Sequence, residues 1–261
     1  MAETRPSKRV AAKRSGLGAG AAIELLGIPI IVLVGFAAYA WWHSVADLDF
    51  VEKSSLAWGD VWLQIWQHVR LTLVASAIVV AVAVPLGILL TRPRTKFLAP
   101  GVVGVANGGQ AAPAIGLLVL LFLWLNGDLS GFWTAILALA LYGILPVLRN
   151  TITGLQGVDP TLVEAGRGIG LSGRAVLFRI ELPLAIPVIM AGIRTALILV
   201  VGTASLASFI NAGGLGGVLT AGITLYRYPV MVAGAVLVAL LALLVEWVGR
   251  VLELIARPKG I

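Results

Sequence analysis

Apolar residues gather into six long runs, at residues 22–42, 69–91, 100–125, 131–153, 187–211 and 229–255, parted by short polar stretches. Each run reaches the ~20 residues that a helix needs to cross a hydrocarbon core. Backbone groups in that core have no water to bond, so the available solutions are helices or a closed barrel. Barrel strands would alternate apolar and polar positions over ~10-residue segments, and no such alternation is visible. The expected class is therefore an all-α membrane protein with six transmembrane helices.

The polar stretches differ in charge. Arg5, Lys8, Arg9, Lys13 and Arg14 precede the first run; Arg92, Arg94 and Lys96 lie between the second and third; Arg149, Arg167, Arg174 and Arg179 follow the fourth; Arg250, Arg257 and Lys259 close the chain. Together these are fifteen of the 19 basic residues. The other side carries Lys53, Arg70 and Arg227 beside Asp47, Asp49, Glu52, Asp60 and Asp128. Cytoplasmic loops are enriched in Lys and Arg, so both termini are expected in the cytoplasm. Residues 1–21 read as a basic cytoplasmic tail near anionic lipid heads, and 22–258 as the membrane domain. A basic start before an apolar run also suits a signal peptide. Here the length of the run and the interfacial pair Trp41 and Trp42 favour a retained span.

Composition works by exclusion. The chain is 59% hydrophobic and 12% charged with a mean hydropathy of +1.01, which makes lipid the solvent for most of it. The absence of cysteine removes disulfides, thiolate metal sites and a cysteine nucleophile. His43 and His68 stand far apart and outside the apolar runs, so no histidine metal cluster is expected. The +7 balance is spread around membrane segments, which argues against a nucleic-acid partner. No GxxxxGK[ST] occurs, so the chain is not expected to bind ATP itself. The GxGxxG pattern from Gly168 to Gly173 lacks the preceding strand of a dinucleotide fold. The cluster Gly213-Gly214-Leu215-Gly216-Gly217 reads as a flexible outer loop. An intramembrane enzyme would need paired carboxylates or a nucleophile with a base, and an ion-driven transporter a mid-span acid and inverted repeats. Neither pattern is visible.

The longest polar stretch between spans, residues 155–187, has distinctive helix punctuation. Asp159 before Pro160 suits an N-cap with proline at the first helical position, and predicts a short helix over 160–168. Gly170 supplies a chain reversal, Ser172 the cap of a second helix through Arg179, and Pro183 and Pro187 a bend into the fifth span. The expected result is a helical hairpin between two membrane helices. Glu164-Ala165-Gly166, Gly170, Ile180 and Leu182-Pro183 then fall at the spacing of glutamate-alanine-alanine, x3, glycine, x9, isoleucine, x, leucine-proline. This resembles the cytoplasmic signature of ABC importer permeases. Gly166 departs from it by replacing the second alanine, an exchange that loosens a helix by about 1 kcal/mol.

The resemblance implies a type I ABC importer permease of a bacterial inner membrane, without catalysis of its own. ATP and magnesium would be bound by partner ABC ATPase subunits, in whose cleft the hairpin would sit as a coupling helix. Glu164 would be the polar contact there, with Ala165 and Gly166 allowing close approach. A second permease, identical or paralogous, would complete the pore, and a separate extracytoplasmic binding protein would deliver substrate. Residues 148–155 with Val158-Asp159-Pro160, Asn107, Gln110 and Pro113, and residues 202–210 with Gly213 to Gly216, are similar to permeases for glycine betaine, choline and carnitine. Methionine and other amino-acid permeases share several of these features and stand as the alternative. Polar side chains within spans mark candidate pathway positions: Asn107, Gln110, Thr203, Ser205, Ser208 and Asn211. Interhelical hydrogen bonding is the competing role for each. Arg194, costly at ~2.5 kcal/mol or more in mid-bilayer, is expected to reach the headgroups or an acid, with Glu246 as a candidate partner.

Overall fold

The computed structural model describes residues 17–125 and 128–256. Arg5, Lys8, Arg9, Lys13 and Arg14 of the expected tail lie outside the described residues, as do Arg257 and Lys259. Among the described residues every regular element is helical: α1 (Leu17–Val45), α2 (Phe50–Ser55), α3 (Trp58–Leu90), α4 (Ala99–Ala111), α5 (Ala114–Trp124), α6 (Gly131–Gln156), α7 (Pro160–Gly168), α8 (Gly173–Val176), α9 (Leu182–Ala204), α10 (Gly216–Thr224) and α11 (Tyr228–Ala256). A π turn, Leu177–Glu181, joins α8 to α9, and a 3₁₀ turn, Ser205–Ile210, follows α9. The chain reversals put α7 and the α3–α4 connection at one end, here the hairpin end. They put α2, α10 and the α5–α6 connection at the other, the far end.

Five helical runs are long and apolar enough to cross a membrane: Leu25–Val45, α3, α6, the run Gly173–Ile210, and α11. The run expected over 100–125 is instead a pair of helices bent by 98° between α4 and α5. Pro113 causes the break, because it has no N–H and bars the preceding residue from helical backbone angles. Ala112 accordingly adopts φ −65° and ψ 144°. Polar groups near the break find partners on α6. The Tyr142 hydroxyl donates to the Ala112 carbonyl, and the Gln110 amide donates to the Tyr142 carbonyl at 3.1 Å.

Two further elements differ from expectation. First, α3 starts at Trp58 rather than near residue 69 and has 33 residues. At ~1.5 Å per residue such a helix is about 50 Å long, well beyond a ~30 Å hydrocarbon core. Its additional turns carry Asp60, Gln64, Gln67 and His68. Second, Pro183 and Pro187 make no break, since the run Gly173–Ile210 is continuous. The π turn absorbs the proline: the Leu182 N–H reaches back five residues to the Leu177 carbonyl.

Helices α6 and α9 form the centre. A Cβ on Gly192 of α9 would lie 2.8 Å from the Pro146 carbonyl oxygen and 2.5 Å from Asn150 Cβ on α6, so the two backbones touch. Lipid gives helices no hydrophobic reason to associate, and close packing at small residues takes over that role. Leu71 and Ala75 of α3 join the same core with Ala135, Ala138 and Leu139 of α6 and Val200 and Ala204 of α9. Outside this core, α1 leans on α11. The Leu240 side chain packs on Gly35, and Trp247 Nε1 donates to the Leu25 carbonyl at 2.7 Å.

Candidate functional site

The hairpin is built by local rules. Asp159 caps α7 by accepting the Thr161 N–H at 2.8 Å, and that bond holds its carboxyl below the ordinary carboxylate range. At the other end of α7, the Gly170 N–H bonds to the Arg167 carbonyl at 2.9 Å and the Leu171 N–H to the Gly166 carbonyl at 3.1 Å. This is a Schellman closure, and it needs the positive φ of 89° that Gly170 adopts. Ser172 then caps α8 by accepting the Ala175 N–H at 3.3 Å. The two arms meet at Gly166, which is buried and whose Cβ position lies 2.5 Å from Ile180 Cδ1 and 3.6 Å from both Leu171 Cδ1 and Val176 Cγ2. The unusual glycine therefore gives room to a second signature residue. Leu182 packs with Leu155, Ala185 and Ile189 where the hairpin enters the bundle, and Pro183 lies in the first turn of α9. Glu164, Ala165, Arg167, Leu162 and Ile169 remain exposed on α7 and its C-cap.

A residue that the sequence reading passed over fastens this hairpin to α3. Glu181 occupies the unspecified position between Ile180 and Leu182. It is buried to 8% relative exposure and accepts from Arg92 Nη2 at 2.7 Å. The available signal was a lone acid between two apolar signature residues, opposite a basic residue at the end of the second run. Arg194 also has a partner, but it is Glu253 at 3.1 Å rather than Glu246. The arginine stem passes beside Gly249, with Cγ 3.5 Å from that residue's Cβ position. Its partner thus lies about two helical turns closer to the hairpin end than Glu246.

At the far end the glycine-rich segment is held rather than flexible. Three side chains on one face of α3 accept its N–H groups: Gln67 Oε1 from Gly214 at 3.0 Å, His68 Nδ1 from Leu215 at 3.2 Å, and Gln64 Oε1 from Val218 at 3.1 Å. His68 Nε2 donates to the Val201 carbonyl at 2.9 Å. This fully buried imidazole therefore bridges α3, α9 and the loop, which the sequence placed outside the apolar core. The i, i+3, i+4 spacing of Gln64, Gln67 and His68 was the legible signal.

The candidate pathway residues fall into two groups. On α4, Asn107 accepts from Arg149 Nη2 at 2.9 Å, and Gln110 is tied to Tyr142 as described. At the far end of the fifth span, Thr203 donates to the Leu199 carbonyl at 2.7 Å, Ser205 to Gly202 at 2.7 Å and Ser208 to Ser205 at 3.1 Å. Asn211 closes that stretch with a left-handed φ of 58°. No hydrogen bond joins the two groups among the described residues. The three hydroxyls of the second group are satisfied within their own turns, which leaves their oxygens as further acceptors.

Comparison with known proteins adds the family. Residues 83–254 match the family described as binding-protein-dependent transport system inner membrane component. The chain is 42% identical over 203 residues to the glycine betaine/carnitine/choline transport system permease protein OpuCB of Bacillus subtilis (strain 168), covering 78% of this chain and 91% of that protein. It is 40% identical over 199 residues to the osmoprotectant import permease protein OsmW of Salmonella typhimurium, covering 75% and 91%. Among solved structures, an inward-facing form of the MetNI methionine ABC transporter superposes with a TM-score of 0.67 at 24% identity, over 77% of this chain and 100% of that chain. That likeness is one of fold. Together with the apolar spans and the signature hairpin, these matches make the chain a member of the binding-protein-dependent transport inner membrane component family, a multi-pass permease component of an ABC importer.

Proposed function

We propose that this permease imports quaternary-amine osmoprotectants, with glycine betaine, carnitine and choline as the substrate class, driven by ATP that a partner hydrolyses. The observation that carries the reading is the 42–43% identity, across three quarters of the chain, to relatives named for those compounds. Likeness to a methionine transporter supports the fold only and does not favour that substrate.

The exposed side of α7 suits a protein partner. Leu162 and Ile169 are 47% and 80% exposed beside the charges of Glu164 and Arg167, a mixed apolar and polar surface of the kind found at interfaces. In this reading α7 seats in a cleft of a cytoplasmic ATPase, the hairpin end and both termini face the cytoplasm, and the far end faces a separate binding protein. A second permease copy or paralogue completes the pore. ATP-dependent movement of α7 passes through the Gly166–Ile180 contact and the Glu181–Arg92 pair into α9 and α3. Asn107, Gln110, Thr203, Ser205, Ser208 and Asn211 serve as polar steps along the route, with the affinity residing in the receptor.

The test is reconstitution of the permease with its ATPase and binding protein in proteoliposomes, followed by uptake of radiolabelled glycine betaine, carnitine, choline and methionine. ATP-dependent uptake of a quaternary amine supports the proposal. Uptake of methionine alone overturns the substrate class, and uptake independent of ATP overturns the coupling.

A further inference from the structure

We infer that a cavity at the far end is a transfer subsite for zwitterions that carry both a carboxylate and a methylated ammonium; this rests on the quaternary-amine reading above and narrows it. The cavity measures about 340 Å³ and is lined by Gln67, Arg70, Ser130, Phe132, Trp133 and Ala212. It lies beside the clamped glycine loop, because Gln67 belongs to both. Ala212 directly follows the stretch from Thr203 to Asn211 that holds four of the candidate pathway residues.

The lining has two chemistries. Arg70 supplies a permanent cation, held with its guanidinium carbon 4.4 Å from the centre of the Phe132 ring. Ring quadrupoles hold cations in this way. No carboxylate among the described residues pairs with Arg70, so it lines the cavity without an internal counter-ion. Gln67 spends its oxygen on the Gly214 N–H and retains its amide hydrogens, and the Ser130 hydroxyl adds another donor. These groups suit an anion, and a planar carboxylate in particular, which the guanidinium fork can bind through two parallel bonds.

Aromatic surface makes up the rest. Trp133 is 50% exposed and meets Phe132 edge-on, with ring centroids 5.4 Å apart and planes at 75°. Phe132 already carries the arginine, so the indole is the aromatic surface left for a second cation. Indole is the strongest of the aromatic rings for quaternary ammonium groups. A lone cation arriving here would meet the unneutralised charge of Arg70. A zwitterion removes that repulsion, since its carboxylate covers the guanidinium while its ammonium rests on Trp133. Glycine betaine and carnitine have this form, and choline, which has a hydroxyl in place of the carboxylate, does not.

The experiment uses the full complex in proteoliposomes, with unaltered binding protein saturated in turn with glycine betaine, carnitine or choline. Receptor occupancy is thereby the same in every arm. R70Q should lower the uptake rate of glycine betaine and carnitine about tenfold, the scale of one lost charge-assisted hydrogen bond, and leave choline uptake equal or faster. W133L should slow all three, and W133F should recover part of the rate. Basal ATPase activity of each variant complex reports that it is assembled. The inference is overturned if R70Q slows all three substrates alike, or if it leaves glycine betaine uptake unchanged. A wild-type complex that carries none of the three overturns the quaternary-amine reading itself, a failure already seen before any substitution is made.

Discussion

Glu181 accepts a hydrogen bond from Arg92 at 2.7 Å, a contact between residues 89 apart in sequence. It ties the π turn of the hairpin to the C-terminal end of α3. Arg92 is oriented for this by further bonds to the Ile88 carbonyl at 3.2 Å and the Thr91 hydroxyl at 3.0 Å. Replacing Glu181 by alanine leaves a partly buried Arg92 side chain without its counter-charge. The expected loss is about 1–2 kcal/mol, since Arg92 keeps partial access to water. A double-mutant cycle on thermal unfolding of the purified complex measures it: E181A and R92A should each destabilise, and the pair should lose less than their sum.

Gly166 and Ile180 make a second contact whose outcome depends on which atom is in the way. The obstacle to a Cβ at Gly166 is the terminal methyl of a flexible side chain, and a change of Ile180 rotamer removes it. G166A is therefore expected to change stability by less than about 1 kcal/mol, with gained helix propensity offsetting the repacking. G166L has no such escape and should separate the two arms. Co-purification with the ATPase, normal for G166A and reduced for G166L, checks this.

Gly216 contrasts with Gly166. Its Cβ position falls 1.7 Å from the Ser205 carbonyl oxygen, a backbone atom that cannot rotate away. G216A should therefore force α10 off the Ser205–Ile210 turn and destabilise the permease by about 3 kcal/mol or more. Reduced yield and a lowered melting temperature in detergent would record it.

His68 both accepts from Leu215 and donates to Val201. A phenylalanine of similar shape satisfies neither group. H68F should cost about 2–4 kcal/mol, the scale of two buried backbone groups left unpaired. Hydrogen exchange at the Leu215 amide, slow in the wild type, should become fast.

The Asp159 cap predicts a pH response. Its carboxyl is held below the ordinary range by the Thr161 N–H, so the ionised form is the one that stabilises the hairpin. That contribution is complete above the unfolded carboxylate pKa, near the ordinary aspartate value of 3.8, and is lost as pH falls through the lowered folded value. Amide exchange at Thr161 should accelerate only on acidification into that window, and D159A should show the fast rate at neutral pH.

What could be read from the sequence was whatever neighbouring residues decide. Asp159-Pro160, Gly170 and Ser172 set the hairpin because a cap or a reversal is settled within a few positions. The existence of the spans followed from lipid and from run length. Pro113 was visible too, but the break it makes is coupled to Tyr142, some thirty positions along the chain. The loop from Gly213 to Gly217 looked flexible because its glycines lack side chains, while its restraints come from α3, 147 residues earlier. Glu246 was the candidate by its place in the sixth span, yet the arginine stem runs past Gly249 and meets Glu253. Each of these misses is a long-range pairing that overrides a sound local expectation, whereas the bend expected at Pro183 is undone locally by the π turn.

Helix α3 belongs to both ends of the molecule. Directly beyond one terminus, Arg92 grips the hairpin; near the other, Gln64, Gln67 and His68 grip the glycine loop. Pro85 is the proline inside it, where one ladder hydrogen bond is missing. To the extent that the helix stays straight, work done on one end is felt at the other, and thermodynamic reciprocity then applies. Whatever free energy a ligand at the loop adds to binding at the hairpin, binding at the hairpin must add to that of the ligand.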